Sequence, residues 1–297
     1  MFTRVMLALV ALLIGSALIS PLAAPGPAQA AVPGCSTAPT EGIFGLTRQV
    51  APSGRGYTLY VPPGVSDHAS LVLDLAGAAV PTLAELATDG WRQFADGKDL
   101  IVAWPDASGV GSLFWNYAEN SNDVAALRDV VSDISAKHCV DARHVHAWGW
   151  SNGAMMAHRL ACDAGDVFAS VAAYEAPWFP TGVNLAGPMD GDFRLFTGCA
   201  PKRPISVGVF EAALDFNYWL NPSMHTEWVN RNHCGPNRIP DTGAQPTTEG
   251  TRWTDCDGGT EVLWRVYVLG IHQPPFWLAP DMLDRTWQLF RDNPLPA

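Results

Sequence analysis

Short apolar runs alternate with amphipathic stretches along most of this chain of 297 residues. Alternating strands and helices predict an α/β fold, in which helices cover both faces of a mainly parallel sheet. The apolar segments 47–50 and 57–61 flank a Pro- and Gly-containing turn and predict a short N-terminal hairpin. Further strands are predicted at 71–75, 100–104, 144–148, 169–173, 205–210 and 262–269, and helices at 82–95, 123–137, 152–161 and 280–290.

The N-terminal thirty residues differ from the rest of the chain. Arg4 gives a positive start, residues 5–24 are almost wholly apolar, and Ala-Gln-Ala at 28–30 has the small residues that a signal peptidase needs. We therefore expect a signal peptide at 1–30, a single secreted domain at 31–297, and no membrane association after cleavage. The alternative is a membrane anchor, because about 20 apolar residues can span a bilayer. Helix-breaking residues within the run and the lack of a following basic cluster argue against it.

Charge and cysteine content narrow the possible partners. Arg4 is the only charged residue among the first 30, so the remainder has 17 of the 18 basic residues and all 29 acidic ones, a formal net charge of −12. Such acidity argues against nucleic acid and anionic membranes, which are bound through basic patches. The six cysteines also follow position 30, and an even number in an exported chain predicts three disulfides. No metal-binding spacing of cysteine and histidine is found, and His144 and His146 are assigned a structural role, so no metal or other cofactor is predicted.

One serine lies between a predicted strand and a predicted helix, in Gly149-Trp150-Ser151-Asn152-Gly153. The pattern G-x-S-x-G at such a junction is typical of a nucleophile elbow, whose strained turn lifts the serine Oγ above the sheet edge. The flanking glycines let strand and helix approach without a Cβ clash. We therefore predict that Ser151 is a nucleophile. The alternative is a glycine-rich turn with an idle serine.

The partners of this serine are predicted from chain order, because the acid and then the base follow the elbow in such folds. Asp215 lies on a loop just past a predicted strand, and Glu211 at the same edge is the alternative acid. His272 follows the next predicted strand and is the expected base. His233 adjoins a cysteine, and His225 has no strand to position it. His272 would accept the serine proton, while Asp215 would fix the imidazole tautomer.

Other groups at this edge are candidates to bind substrate. The backbone N–H of Asn152, at the start of a helix, is the first predicted oxyanion donor. The second comes from the loop after strand 71–75, where Ala78 is preferred. Tryptophans predicted near the active-site edge are candidate substrate contacts: Trp115, Trp150, Trp178, Trp219 and Trp277.

Sheet geometry suggests how the cysteines pair. Cys139 precedes the strand that ends at the elbow, and the following helix runs back, so its last residues with Cys162 are expected near Cys139. Cys234 and Cys256 flank a polar loop that a local bridge would hold. The predicted pairs are therefore Cys139–Cys162, Cys234–Cys256 and Cys35–Cys199.

These motifs resemble a known family, the secreted polyhydroxybutyrate depolymerase-like esterases, which include feruloyl and acetylxylan esterases. The most specific similarity is Cys139-Val140-Asp141 followed by the segment 149–156, which resembles the family's CVD…G-x-S-N-G-g-m-M block. Further similar segments lie at 57–64, 91–106, 115–116, 234, 256–259 and 270–272. The resemblance implies the α/β-hydrolase fold and a serine esterase that acts outside the cell on small or polymeric esters. The bonds concerned are polyester, feruloyl or acetyl ester bonds.

The chain departs from this family pattern near the predicted site. The family has His-Gly where this chain has Ala76-Gly77, and His-Gly-x-x-Asp where this chain has the segment 211–215. Gln-Pro-Pro follows His272 where the family has Thr-Trp-Pro. A catalytic triad alone does not separate ester from amide hydrolysis, so a secreted peptidase or amidase on the same fold is the enzymatic alternative. A binding protein with a relic triad is the alternative from another class. The oligomeric state is left open.

Overall fold

The protein is described by a computed structural model over residues 34–176, 198–215, 218, 224–275 and 277–297. The expected signal peptide at 1–30 lies outside these residues, so the signal peptide and the domain limits stay predictions. Among the helices described, none has the length and apolar character needed to cross a membrane.

The strands join edge to edge into one sheet. They are β1 (Leu46–Val50), β2 (Gly56–Tyr60), β3 (Ala69–Leu75), β4 (Leu100–Pro105), β5 (Val140–Trp150), β6 (Ser170–Tyr174), β7 (Ser206–Ala212), β8 (Ile239–Pro240), β9 (Thr247–Trp253) and β10 (Val262–Tyr267). Their order is β1-β2-β4-β3-β5-β6-β7-β10-β9-β8. The neighbours from β4 to β10 are parallel, whereas β1 and β2 form the predicted hairpin at one edge. The mainly parallel sheet agrees with the prediction.

Helices cover both faces of this sheet. They are α1 (Thr82–Thr88), α2 (Trp91–Ala95), α3 (Asn122–Lys137), α4 (Asn152–Asp163), α5 (Met224–Arg231) and α6 (Ala279–Asp292). Successive side chains of a strand face opposite ways, so Leu71 and Leu73 of β3 join the core cluster of α3 and α4, whereas Val72 joins that of α2 and α6. Apolar residues on both faces explain why the central strands read as continuous hydrophobic runs.

Two segments differ from the sequence prediction. The helix expected at 82–95 is divided into α1 and α2, because Gly90 has a φ of 81° that ends the helical path. The polar segment between Cys234 and Cys256 was expected to be a loop but contains β8 and β9. Its buried Arg252 pairs with Asp241 (3.1 Å) and Glu261 (3.0 Å), so charged residues occupy positions where a strand pattern would show apolar ones.

The structure corrects two of the three predicted disulfides. The Cys234–Cys256 bridge is present as predicted, but the predicted pairs Cys139–Cys162 and Cys35–Cys199 are wrong. The observed pairs are Cys35–Cys139 and Cys162–Cys199.

The error concerns the first part of β5, which begins earlier than predicted and is irregular. Val140 pairs with Ala69 and Val145 pairs with Leu71, so five steps along β5 correspond to two steps along β3. A parallel bridge between Ser36 and His138 instead brings Cys35 to Cys139.

Candidate active site

Ser151 occupies the turn between β5 and α4, with φ 54° and ψ −121°. A positive φ is strained for a residue with a Cβ, and the close packing of the flanking segments holds it. A Cβ on Gly149 would lie 2.5 Å from a backbone atom of Gly153, and a Cβ on Gly153 would lie 1.8 Å from Leu75 O. Glycine is therefore required at both positions, as the predicted elbow demands.

His272 joins Ser151 to Asp215 through its two ring nitrogens. Nε2 lies 2.9 Å from Ser151 Oγ, and Nδ1 lies 2.7 Å from Asp215 Oδ2. Asp215 is buried (3% exposed) and accepts a hydrogen bond from the Nδ1–H of His272, which leaves the Nε2 lone pair to accept from the serine hydroxyl. The structure thus brings the three predicted residues together in the arrangement of a Ser-His-Asp triad.

The alternative acid and bases contact other groups. Glu211 Oε2 accepts the indole N–H of Trp264 (2.8 Å), and burial raises the pKa of Glu211 to about 7. His225 stacks on the same indole with a centroid distance of 3.8 Å. His233 pairs with Asp257 at the surface (2.7 Å). Within the described part of the chain, Ser151 Oγ is hydrogen-bonded to His272, whereas Glu211, His225 and His233 contact these other groups.

The two predicted oxyanion donors lie on segments that pack against the elbow. Asn152 begins α4, and its side-chain Oδ1 accepts the backbone N–H of Trp115 (2.6 Å). Ala78 is exposed on the loop between β3 and α1. The next residue, Ala79, donates its N–H to Leu113 O (2.9 Å) and is thereby excluded as the second donor. The assignment of the N–H groups of Asn152 and Ala78 to an oxyanion stays a prediction.

The predicted tryptophans within the described residues differ in their exposure to solvent. Trp115 is 1% exposed and donates to Ala76 O (3.0 Å), so the expectation that it contacts substrate is wrong. Trp150 is 5% exposed, and its ring packs on Gly77 and stands edge-on to His272 at 5.6 Å. Its ring is therefore buried beside His272 and has little surface that a substrate could contact.

Of the remaining candidates, Trp277 is 45% exposed and lies five residues after His272. Of the predicted tryptophans within the described residues, it is the most exposed. Trp178 and Trp219 lie outside the described residues.

A cluster of buried carboxyl groups that was not predicted from the sequence lies behind the elbow. Glu85 accepts the indole N–H of Trp150 (2.7 Å), while Trp104 donates to Asp74 (2.9 Å) and Asp89 (2.5 Å). Burial raises the pKa of Glu85 to about 8, and burial with the charges of Asp89 and Glu85 raises the pKa of Asp74 well above its ordinary value. The cluster fastens β3 and α1, which flank the loop with Ala78, to the residue before Ser151.

Two groups of possible ligand side chains are close enough to share a metal ion. One consists of Asp74, Glu85 and Asp89, and the other of Glu175, Asp215 and His272. In the first group, tryptophan N–H donors already point at the carboxylates. In the second, His272 and Asp215 bind each other, and Glu175 accepts the Ala212 N–H. The N–H groups that point at these carboxyl oxygens already serve as their hydrogen-bond donors and would repel a cation.

Two of the residues that were not predicted, Asp74 and Glu175, share one sequence signal. Asp74 lies at the C-terminal end of the apolar run of β3, and Glu175 follows the apolar run of β6 directly. Ligand and catalytic groups of parallel sheets gather at the carboxyl ends of the strands. A carboxyl at each such end could therefore have been nominated from the sequence.

Parts of this chain are similar to several known hydrolases. A model of the prolyl oligopeptidase family matches residues 88–179. Feruloyl esterase B of Piromyces equi is 26% identical over 184 residues, which are 54% of this chain and 32% of that protein. Poly(3-hydroxyalkanoate) depolymerase C of Paucimonas lemoignei is 29% identical over 157 residues, 50% of this chain and 37% of that protein. The matches therefore span about a third of the length of these relatives.

The structural comparison supports the fold. An acetyl xylan esterase from Aspergillus awamori superposes with a TM-score of 0.61 at 16% identity, covering 83% of this chain and 98% of that one. Together with the family model, this confirms the predicted α/β-hydrolase fold. The predicted resemblance to feruloyl esterases and polyester depolymerases is also confirmed.

Proposed function

We propose that this relative of serine esterases is a carboxylic ester hydrolase with Ser151 as nucleophile, His272 as general base and acid, and Asp215 as the orienting acid. The observation that carries the proposal is the unbroken hydrogen-bond chain from Ser151 Oγ through His272 to Asp215. Serine is a weak nucleophile at its own pKa, and a hydrogen-bonded imidazole is the group that activates it.

The first half-reaction transfers the acyl group to the enzyme. Ser151 Oγ attacks the ester carbonyl carbon while His272 Nε2 takes the hydroxyl proton. The carbonyl oxygen becomes an oxyanion that the N–H groups of Asn152 and Ala78 would stabilise, each donor being worth about 10² to 10³ in rate. The bond to the alkoxy oxygen then breaks, and His272 gives its proton to the leaving alcohol.

The second half-reaction returns the free enzyme. Water attacks the acyl carbon, His272 takes the water proton, and the bond between the acyl carbon and Ser151 Oγ breaks. His272 returns the proton to Ser151, and the carboxylic acid leaves. The negative charge of Asp215 stabilises the imidazolium in both halves.

The proposed substrates are small or polymeric esters with polyester, feruloyl or acetyl ester bonds. The names of the relatives support these classes. The exposed Trp277, five residues after His272 in the sequence, would offer an aromatic surface to an apolar or sugar-linked acyl group. The proposed location is outside the cell. Three disulfides support it, because such bridges persist in oxidising compartments, and so does the N-terminal sequence.

A peptidase or amidase activity is the second candidate, and the match to the prolyl oligopeptidase family favours it. The two candidates are separated by an ester and an anilide with the same acyl group and a p-nitrophenyl or p-nitroaniline leaving group. Turnover of the ester alone supports the esterase, and comparable turnover of the anilide supports the amidase.

A fluorophosphonate probe tests the catalytic assignment, because it labels only an activated serine. We expect the purified protein to be labelled at Ser151, and Ser151→Ala to be unlabelled. A panel of p-nitrophenyl esters, methyl ferulate, acetylated xylan and polyhydroxybutyrate emulsion then identifies the acyl group. A protein that is neither labelled nor active on any of these esters would support the relic-triad alternative instead.

A further inference from the structure

Glu175 lies where the segments that carry Ser151, Asp215 and His272 meet. It is the first residue after β6, its side chain is 1% exposed, and its φ is 53°. One of its carboxyl oxygens, an Asp215 oxygen and a His272 nitrogen lie within 4.8 Å of one another. A positive φ is unfavourable for glutamate, and burial of its carboxyl is unfavourable without a cationic partner. A residue that combines both must be held by its surroundings.

Glu175 and the preceding Tyr174 bind all three of these segments. The Tyr174 carbonyl accepts the Ser151 N–H (2.9 Å), and the Tyr174 hydroxyl donates to Ile271 O (2.7 Å), next to His272. Glu175 Oε1 accepts the backbone N–H of Ala212. The pair therefore connects the elbow, the histidine loop and the end of β7.

The bond to Ala212 bears directly on Asp215. The Asp215 N–H donates to Ala212 O (3.0 Å), which closes the turn after β7, and the Ala213 N–H donates to Tyr267 O (2.9 Å). Glu175 accepts the N–H of the same residue, Ala212. Loss of this acceptor would leave a buried N–H unsatisfied and release one end of the turn that presents Asp215.

Charge at Glu175 is constrained by its neighbours. Asp215 and Glu211 face it from β7 and the following turn, His272 faces it from the loop after β10, and Tyr174 precedes it on its own strand. Burial first, and then the negative charge of Asp215, raise the pKa of Glu175 to about 9. Burial and these acidic neighbours therefore favour the protonated form of Glu175.

We propose that Glu175 is a positioning residue that holds Asp215 against His272. The inference rests on the proposed esterase function. A neutral carboxyl group accepts the Ala212 N–H without placing a second negative charge beside His272. An ionised one would compete with Asp215 for the imidazole.

Three substitutions separate this role from simple space filling. Glu175→Gln keeps the shape, the neutral charge and the acceptor, whereas Glu175→Met keeps only the volume and Glu175→Ala keeps none of them. Glu211→Gln is the matched control, because Glu211 is a buried carboxyl of the same sheet edge that binds Trp264 instead. Steady-state kinetics on a p-nitrophenyl ester from pH 5 to 10 and circular dichroism are recorded for each variant.

We expect Glu175→Gln and Glu211→Gln to retain kcat/KM at pH 7 within about threefold, since hydrogen bonds survive in both. Glu175→Met and Glu175→Ala should lower kcat by about 10- to 100-fold with little change in KM, because a displacement of about 1 Å in a catalytic group costs that much. The rising limb of the pH profile should lie at the same pH in Glu175→Gln as in the natural protein. Should Glu175→Ala fail to fold, the comparison of Glu175→Gln with Glu175→Met decides.

Two results would overturn the proposal. One is a folded Glu175→Met or Glu175→Ala variant with unchanged kcat. The other is a rising limb that moves to lower pH in Glu175→Gln, which would mean that the glutamate is charged in the working enzyme. Labelling of the natural protein by the fluorophosphonate distinguishes these results from failure of the proposed function, since an unlabelled natural protein would refute the esterase itself.

Discussion

At the scale of single residues, two strained backbone conformations occur where side chains enter the site. Ser151 and Glu175 both follow directly after strands and have φ values of 54° and 53°. Such conformations cost on the order of 1 to 3 kcal/mol each and persist only when surrounding contacts fix them. Ser151 donates to Tyr174 O and Glu175 donates to Phe210 O, both at 2.9 Å, so the parallel sheet itself holds the strained residues.

The choice of acid gives the first prediction at this scale. Asp215→Asn should lower kcat by about 10⁴, because an amide stabilises the wrong imidazole tautomer. Glu211→Gln should remain within about threefold of the natural protein, since its carboxyl binds Trp264 rather than His272. Ester turnover of both variants is the measurement. A damaging Glu211→Gln and a mild Asp215→Asn would reverse the assignment.

The sequence predicted the three triad residues because each carries a local signal. Ser151 lies in a motif between two elements, and Asp215 and His272 follow apolar runs in the order that the fold requires. Glu85, within α1, carries no such signal. A glutamate in a single sequence is expected at the surface, and only tertiary packing buries it. The same limitation applies to Trp115, whose burial depends on the carbonyl of Ala76 and the amide of Asn152.

At the scale of elements, the elbow depends on how closely β3, β5 and α4 approach one another. Gly153 in the first turn of α4 packs directly against the last residue of β3, Leu75. The helix N-terminus can therefore stand over the sheet edge where Ser151 lies. The sequence signal for this junction was strong because glycine is needed twice. The division between α1 and α2 was missed because one glycine in a helical pattern is also tolerated within a helix.

The packing of Gly153 gives a prediction for this junction. Gly153→Ala would place a Cβ 1.8 Å from Leu75 O, so the strand and helix must separate. We expect a loss of stability on the order of 3 kcal/mol and loss of fluorophosphonate labelling. Gly165→Ala is the control, because its added Cβ would meet no atom closer than 3.5 Å. Equal stability and labelling of the two variants would contradict the close-packed elbow.

The carboxyl cluster behind the elbow predicts how stability changes with pH. Burial raises the pKa of Glu85 from 4.5 to about 8, so the folded protein keeps a proton that the unfolded chain releases. Its contribution is therefore fully present below pH 4.5 and is lost as the pH rises toward 8. Each such group lowers the free energy of unfolding by about 1.4 kcal/mol per pH unit in this window.

Glu85→Gln removes this titration and keeps an acceptor for the Trp150 indole. We expect urea unfolding between pH 5 and 8 to show a shallower fall in stability for Glu85→Gln than for the natural protein. Surface Asp67→Asn, at a side chain that is 70% exposed, should leave the slope unchanged. Parallel curves for Glu85→Gln and the natural protein would mean that Glu85 is ionised in the folded state.

At the scale of the whole molecule, the order of the strands puts the site at one sheet edge. Ser151 follows β5, Asp215 follows β7 and His272 follows β10, and these strands lie in one parallel run with β6 between the first two. Chain order and strand type could be predicted from the sequence, but strand length could not. Strand β5 begins at Val140 rather than at residue 144, and its register against β3 shifts between Val140 and Val145. The partner of Cys139, which directly precedes this segment, was predicted wrongly.

The three bridges give the last prediction, which tests this long-range arrangement. Non-reducing peptide mapping should recover Cys35–Cys139, Cys162–Cys199 and Cys234–Cys256. Their sequence separations are 104, 37 and 22 residues. Since a longer closed loop restricts the unfolded chain more, replacing each pair by serines should cost about 5, 4 and 3 kcal/mol in that order. A peptide that links Cys139 to Cys162 would show that the end of α4 lies beside the start of β5, and it would contradict this arrangement.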